Sequence, residues 1–122
     1  MTELTDAERA QLAAWLDWRY EERTATDNDT VNQYGVWLNR DGDLMYHDDE
    51  WFKPPTGNQM LVLMNHAQQN YYPIELCALD PDESFDDGAH WYAAMGGEGR
   101  QYEATAPVAV AMAILAALGM SR

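Results

Sequence analysis

The sequence predicts an α+β fold, a single domain in which an antiparallel sheet is sandwiched between helices. Its 122 residues suit one domain, and the 47% hydrophobic content supplies a core without metals or disulfides. Two amphipathic segments with helical spacing are separated by short segments with the alternation and turn residues of strands. A third, almost wholly apolar segment near the C-terminus predicts a buried helix. Helices that bury their apolar faces on an antiparallel sheet are the simplest arrangement of these elements.

The first helix is predicted to begin at Thr5. Thr5 and Glu8 have the spacing of a capping box, in which each side chain binds the other residue's backbone N–H. Apolar residues then follow at helical spacing and should face the core: Leu12, Trp15, Leu16 and Tyr20. We expect this helix to run to Glu22 or Arg23, and the polar segment from Thr24 to Thr30 to be a loop.

A hairpin is predicted from Val31 to Tyr46. Val31 to Leu38 has the composition of a strand, and residues 39–42, Asn-Arg-Asp-Gly, have the chemistry of a turn because Asn and Gly tolerate positive φ. Asp43 to Tyr46 should return as the partner strand. A charged run follows, and Pro54-Pro55 then ends regular structure.

The second half predicts a helix, three strands and a final helix. Thr56 is the expected N-cap and Gln59 its partner, and one apolar face follows: Met60, Leu63, Met64 and Ala67. The predicted strands are Tyr71 to Leu79, His90 to Met95 and Arg100 to Glu103. Between the first two lies an acidic loop from Asp80 to Gly88, and residues 96–99 form a glycine-rich turn. Pro107 is tolerated in the first turn of the last helix, and Val108 to Leu118 is apolar on nearly every side.

The last helix resembles the closing helix of the phage ABA-sandwich domain, found in small phage and prophage proteins. Residues 105–118, Thr-Ala-Pro-Val-Ala-Val-Ala-Met-Ala-Ile-Leu-Ala-Ala-Leu, are similar to that family's pattern T-A-P-L-A-I-C-x-A-A-L-x-A-L. Pro55-Thr56 resembles its helix start, and Tyr72 to Leu76 and His90-Trp91-Tyr92 stand where it has aromatic strands. The resemblance covers residues 54–120, departs from the pattern at Gly57 and Asn58, and leaves the hairpin at 31–46 as an addition. It implies an α–β–α sandwich and a phage or prophage origin, and it supplies no catalytic residues.

Acidic residues give the strongest functional signal. The chain has 21 Asp and Glu against 7 Lys and Arg, a net charge of −14, which argues strongly against unaided binding to nucleic-acid phosphates or anionic membranes. Ten acids fall in two short windows: Asp41, Asp43, Asp48, Asp49 and Glu50, then Asp80, Asp82, Glu83, Asp86 and Asp87. We expect them to imitate a phosphate backbone and to block a basic, nucleic-acid-binding site of a host defence protein, as an anti-CRISPR-like or DNA-mimic inhibitor.

Trp51 and Phe52 directly follow the first acidic window, and we expect them to supply apolar contact to the partner. The alternative is that they pack beneath the edge of the domain. A second functional hypothesis is a structural or accessory phage protein that self-associates, with the acids serving solubility only.

Other site chemistry is not expected. An EF-hand register with Gly42 at its sixth position puts Trp37 at the first, where no ligand oxygen exists. The three histidines share no ligand spacing, and the single cysteine, Cys77, is expected as a buried or half-buried thiol in a strand. We therefore predict no enzyme, no cofactor and no metal. A small hydrolase remains an alternative if Glu75, Cys77 or His90 meet in a cleft.

The expected localisation depends on the lack of a membrane span and of a signal peptide in the sequence. The longest apolar run, Ala106 to Met120, is shorter than the roughly 20 residues of a membrane span, and the first ten residues carry three acids unlike a signal peptide. We expect a monomer or homodimer in the cytoplasm of the bacterial host, with no membrane and no direct nucleic-acid partner.

Overall fold

The computed structural model describes residues 4–53, 56–70, 72–80, 88–96 and 99–119. In this part of the chain, three helices accompany six strands in two antiparallel three-stranded sheets. The elements are α1 (Asp6–Trp15), β1 (Arg19–Asp27), β2 (Thr30–Leu38), β3 (Leu44–His47), α2 (Gly57–Gln69), β4 (Ile74–Ala78), β5 (Trp91–Met95), β6 (Gln101–Glu103) and α3 (Ala106–Ala117). The first sheet has the order β1-β2-β3 and the second β4-β5-β6. The predicted α+β class with antiparallel strands is confirmed, and the strands divide into two sheets.

Helix α1 begins as predicted and ends early. The capping box at Thr5 and Glu8 is formed, with the Glu8 N–H 3.1 Å from the Thr5 hydroxyl oxygen. The helix ends at Trp15, and Asp17 then adopts a φ of 63°, which helical residues do not have. The prediction of a helix to Glu22 or Arg23 is therefore wrong beyond Trp15, because the chain turns there into strand β1.

Strands β1 and β2 form a long hairpin whose outer part projects from the molecule. They pair from Arg19 with Leu38 to Asp27 with Thr30, and Asn28 and Asp29 connect them. Both connecting residues have positive φ, 46° and 65°, as a type I′ turn requires. Residues 24–34, which we call the hairpin arm, are exposed on both faces of the ribbon. The predicted loop from Thr24 to Thr30 is therefore wrong.

The predicted hairpin from Val31 to Tyr46 is confirmed as β2, a turn and β3. The Asn39 side-chain oxygen accepts from the backbone N–H groups of Asp41 and Asp43, each at 2.9 Å, and Gly42 has a φ of 89°. These are the turn features that residues 39–42 predict.

Helix α3 is the centre of the core. It packs against α1, α2 and all three strands of the second sheet, and eight consecutive residues from Val108 to Leu115 are buried. The prediction that this helix is buried on nearly every side is confirmed. Alanine at three of those eight positions allows neighbouring elements to approach closely from several directions. None of the helices in the described ranges has the length and hydropathy that crossing a membrane requires.

Candidate functional site

Strand β3 separates the first acidic window into two groups. Asp41 and Asp43 precede it, and Asp48 to Glu50 follow it, so about 13 Å of strand lies between the groups. Arginines accompany the first group. Arg40 forms an ion pair with Asp17, with 3.3 Å between Nη2 and Oδ2, and the Arg19 guanidinium approaches the same turn at Gly42. Opposite charges are therefore mixed at this end of the sheet.

The acids after β3 meet other groups of the first sheet. The Asp48 backbone N–H donates to the Gly35 carbonyl at 2.9 Å, and Gly35 pairs with Glu22 on β1. We call Tyr20, Glu22, Asp48, Asp49 and Glu50 the basal acidic cluster, since it lies at the base of the hairpin arm. Glu22, Asp49 and Glu50 are exposed, and none of them forms an ion pair within the described part of the chain.

Tyr20 is the exposed aromatic residue of this cluster. Its ring lies over Gly35, where an added Cβ would overlap the ring, and packs edge-on to Trp37 at 5.1 Å between centroids. The side chain keeps 46% of its surface exposed. Burial of the phenol, and then the charges of Asp48 and Glu22, raise the pKa of Tyr20.

Asp48 fixes the position of the turn that carries the other acids. Its carboxylate accepts from the Trp37 indole N–H at 3.0 Å and lies 3.7 Å from the Arg9 guanidinium. The Arg9 guanidinium also donates to the backbone carbonyls of Asp48, at 2.8 Å, and Trp51, at 3.2 Å. A buried guanidinium with several acceptors is a strong restraint. Asp48 is therefore held internally, while its neighbours Asp49 and Glu50 face solvent.

Arg9 has a further partner in Asp6, one turn before it on α1. The hydrogen bond from Arg9, and then its positive charge, hold the pKa of Asp6 below its usual value. The guanidinium is buried, and the Asp6 carboxylate that closes over it is exposed. Helix α1 therefore supplies the cation that orders the turn after β3.

Trp51 and Phe52 are not surface contacts, and the prediction that they meet a partner is wrong. Only 0% and 1% of their surface is exposed. The Trp51 indole N–H donates to the Arg9 carbonyl at 3.0 Å, and its ring centroid lies 4.8 Å from that of Trp18 and 5.2 Å from that of Tyr46. The alternative, that this pair packs beneath the edge of the domain, is confirmed.

The path of the chain explains why this pair is buried. The Phe52 backbone N–H donates to the Gln59 side-chain oxygen at 2.6 Å, and the Gln59 amide donates to the Glu50 carbonyl at 2.8 Å. A φ of 54° at Phe52 turns the chain toward the core. Gln59 was expected to complete the cap of α2, and the Thr56 hydroxyl does accept from its backbone N–H at 3.3 Å. Its side chain binds the preceding segment instead.

The second acidic window is described only at its first member. Asp80 lies two residues beyond β4 and is exposed. Asp82, Glu83, Asp86 and Asp87 lie outside the described residues. Of the predicted site residues, Asp49 and Glu50 join the basal acidic cluster as exposed groups. The sequence did not indicate Tyr20 or Glu22 as site residues, because both were expected on a helix.

Glu75 and Cys77 meet a tyrosine on the outer face of the second sheet. The Tyr92 hydroxyl donates to a Glu75 carboxylate oxygen at 3.1 Å, Tyr92 pairs with Cys77 across β4 and β5, and the Arg100 guanidinium lies 4.5 Å above the phenol ring. The thiol of Cys77, then the Glu75 carboxylate, raise the pKa of Tyr92 to about 12. The phenol is therefore protonated at neutral pH.

Metal binding has no geometric support in the part of the chain that the structure describes, where no three His, Cys, Asp or Glu side chains are grouped as ligands. Cys77 is half-buried in β4, as predicted. Comparisons of this chain with protein-family models, with curated proteins and with solved structures gave no match. The resemblance to the phage ABA-sandwich domain stays a prediction.

Proposed function

We propose that this protein acts by binding, and that its basal acidic cluster occupies and blocks a basic, nucleic-acid-binding site of another protein. One observation carries the proposal: Glu22 on β1 and Asp49 and Glu50 in the turn after β3 are exposed and have no ion pair in the described residues. Arg9 and Trp37 fix the turn through Asp48. Carboxylates held in place in advance lose little freedom on binding and favour rapid association with a cationic surface.

The hairpin arm extends this acidic surface. Gly35 at its base and Thr30 at its tip are five positions apart on β2, a distance of about 17 Å. Asp27 and Asp29 lie at the tip and are exposed. Acidic groups at both ends of a narrow polar ribbon fit an elongated basic groove, which is the shape of site that holds a nucleic-acid strand.

The resemblance to phage proteins directs the proposal to one class of partner. A phage protein that blocks a nucleic-acid site would act on a host defence complex, such as a CRISPR complex, in the bacterial cytoplasm. The mechanism is occupation of the site by charge and bulk, and no covalent step is needed. The like charges gathered at the basal acidic cluster repel one another, and pairing with Arg and Lys of the partner offsets that repulsion.

Two variants with equal net charge test the proposal. Asp49→Asn/Glu50→Gln neutralises the cluster, and Asp41→Asn/Asp43→Asn removes the same charge from the other end of β3. Each immobilised protein is incubated with the bacterial proteins that bind DNA-cellulose. We expect the wild type and the second variant to retain a protein that duplex DNA displaces, and the first variant to bind it about tenfold more weakly.

Raising the salt concentration should weaken the same binding, because exposed ion pairs are screened. Three results would contradict the proposal: no retained protein, a retained protein that DNA does not displace, or equal weakening by both variants. Self-association of the purified chain in size measurements, together with no retained protein, would favour the structural or accessory alternative.

A further inference from the structure

A groove lies between α2 and the start of β4, on a part of the molecule that the basal acidic cluster does not use. Its volume is about 570 Å³, within the range of ligand sites. Helix α2 buries Leu63 and Ala67 in the core and turns a different face, including Leu61 and Asn65, toward the groove. Leu61 and Tyr72 line it and remain 51% and 49% exposed. The groove is therefore apolar and open.

One edge of the second sheet continues from this groove. In the described part of the chain β4 is an edge strand, and the Gly96 N–H donates to the Pro73 carbonyl while the Leu79 N–H donates to the His90 carbonyl. Odd-numbered residues of β4 therefore direct their backbone groups toward β5, and the even-numbered residues direct theirs outward. These outward residues are Ile74, Leu76 and Ala78. Ile74 also lines the groove, so the groove and the edge are continuous.

Acids outnumber bases around this site, although Arg100 lies over the ring of Tyr92, whose hydroxyl donates to Glu75. Residues 54–99 contain no lysine or arginine and seven acids, whereas the first 53 residues contain five Lys or Arg. Glu75 is exposed on β4, and Asp80 is exposed just beyond its end. In sequence, the second acidic window continues directly from Asp80. An occupant that lies along β4 is therefore favoured if it carries positive charge, and a second copy of this acidic chain is disfavoured.

We propose that the groove and the β4 edge together bind an extended, basic segment of a partner protein as an added strand. The backbone of the segment pairs with Ile74, Leu76 and Ala78, and one of its apolar side chains fills the groove. Its Lys and Arg side chains lie toward Glu75 and Asp80. Asn65 and Gln68 line the groove, and neither side chain has a hydrogen-bond partner within the described ranges, so both can bind main-chain groups of the segment.

The test is selection of a displayed library of random nine-residue peptides against the full-length chain. We expect enrichment of peptides that alternate apolar residues with Lys or Arg. The tightest one is then synthesised with a fluorescent label. Asn65→Trp fills the groove from an exposed helix position, and Gln69→Trp places the same side chain on α2 outside the groove. Binding should weaken at least tenfold in the first variant and remain unchanged in the second.

Methylation of alternate peptide amides gives a second test, which distinguishes backbone pairing with β4 from an apolar contact alone. One alternate set should abolish binding and the other should not, because only one set faces β4. Enriched peptides without positive charge, equal binding to both Trp variants, or no difference between the methylated sets would overturn the proposal. A dimer of the free chain that Asn65→Trp dissociates would overturn it in favour of a second copy.

The basal variant Asp49→Asn/Glu50→Gln separates this proposal from the proposed function. It should bind the labelled peptide as the wild type does, because it leaves the groove and β4 unchanged. Loss of peptide binding in that variant would place the peptide at the basal acidic cluster and overturn the groove as its site. If the chain binds the peptide but retains no bacterial protein that duplex DNA displaces, only the proposed function is contradicted.

Discussion

The two three-stranded sheets differ in what covers them. In the second sheet, α3 packs on β4, β5 and β6, and inward side chains of β4 and β5 join the core. In the first sheet, β1 contacts β2 extensively and no other element to a comparable extent, and the hairpin arm is exposed on both faces. A two-stranded ribbon without a covered face is only marginally stable in water. Its stability depends on the base of the hairpin, where the basal acidic cluster also lies.

This difference assigns different roles to the two sheets. The second sheet is part of the scaffold, and the groove beside α2 lies at its β4 edge. The first sheet is anchored at its base by Tyr20 over Gly35 and by Trp51 beneath it, and its hairpin arm is exposed. Variants that weaken either anchor should therefore affect the first sheet before the second.

The largest expected effect comes from Trp51→Ala. It removes a fully buried ring from contact with Trp18 and Tyr46 and leaves the Arg9 carbonyl without its indole donor. The free energy of unfolding should fall by about 3–5 kcal/mol, measured by urea denaturation. Tyr72→Ala, at a half-exposed position, is the control. An equal, small change in both variants would show that Trp51 lies at the surface.

Gly35→Ala should have the next largest effect. Its Cβ would overlap the Tyr20 ring, so the ring must move off β2, at a cost of about 1–3 kcal/mol. Tyr20→Ala should remove this overlap. The double variant Tyr20→Ala/Gly35→Ala should therefore lose less stability than the sum of the losses in the two single variants. Gly57→Ala is the control, since nothing lies within 4 Å of its Cβ position at the start of α2. Additive effects would argue against the contact.

Asp29→Gly should stabilise the tip of the arm. Asp29 has a φ of 65°, and an Asn-Gly pair is preferred at the two central positions of a type I′ turn. We expect about 0.5–1 kcal/mol of local stabilisation, seen as slower amide exchange in β1 and β2 and unchanged exchange in β4 and β5. Asp27→Asn removes the same charge without relieving the turn. Equal slowing in both variants would assign the effect to charge.

The smallest effect on stability is expected from Tyr92, and only at high pH. Its folded-state pKa of about 12 lies above the usual value of 10, so the protonated phenol stabilises the fold below pH 10. That contribution should be lost as the pH rises from 10 through 12. The difference in ultraviolet absorbance between the wild type and Tyr92→Phe isolates this phenol, and Cys77→Ala should lower its midpoint. A midpoint near 10 in the wild type would contradict the contact.

The second sheet and both of its flanking helices could be predicted because burial leaves a pattern of apolar residues in the sequence. Val108 to Leu115 is continuously apolar because α3 is covered on all sides. Strand β1 was missed for the opposite reason: with both faces in water, its residues have no alternation to detect. The remaining signal was the pair Asn28-Asp29, which suits a two-residue turn between strands.

The candidate site could be predicted only where it is local in sequence. Asp49 and Glu50 belong to a visible charged run, whereas Glu22 reaches them through the register of β1 on β2. Trp51 also follows that run, which suggested exposure, but its partners come from 42 residues earlier, at Arg9. Contacts of that separation depend on the whole fold and leave no local pattern.

Arg9 and the segment around Trp51 bind each other reciprocally. Helix α1 therefore stabilises the basal acidic cluster, although it contributes no residue to it. The Arg9 guanidinium donates to the Trp51 carbonyl, and the Trp51 indole N–H donates to the Arg9 carbonyl. A protease that cleaved the chain after α1 would therefore leave every acid of the basal acidic cluster in the remaining chain, but the turn that carries Asp49 and Glu50 would lose its covalent link to Arg9, the residue that anchors it.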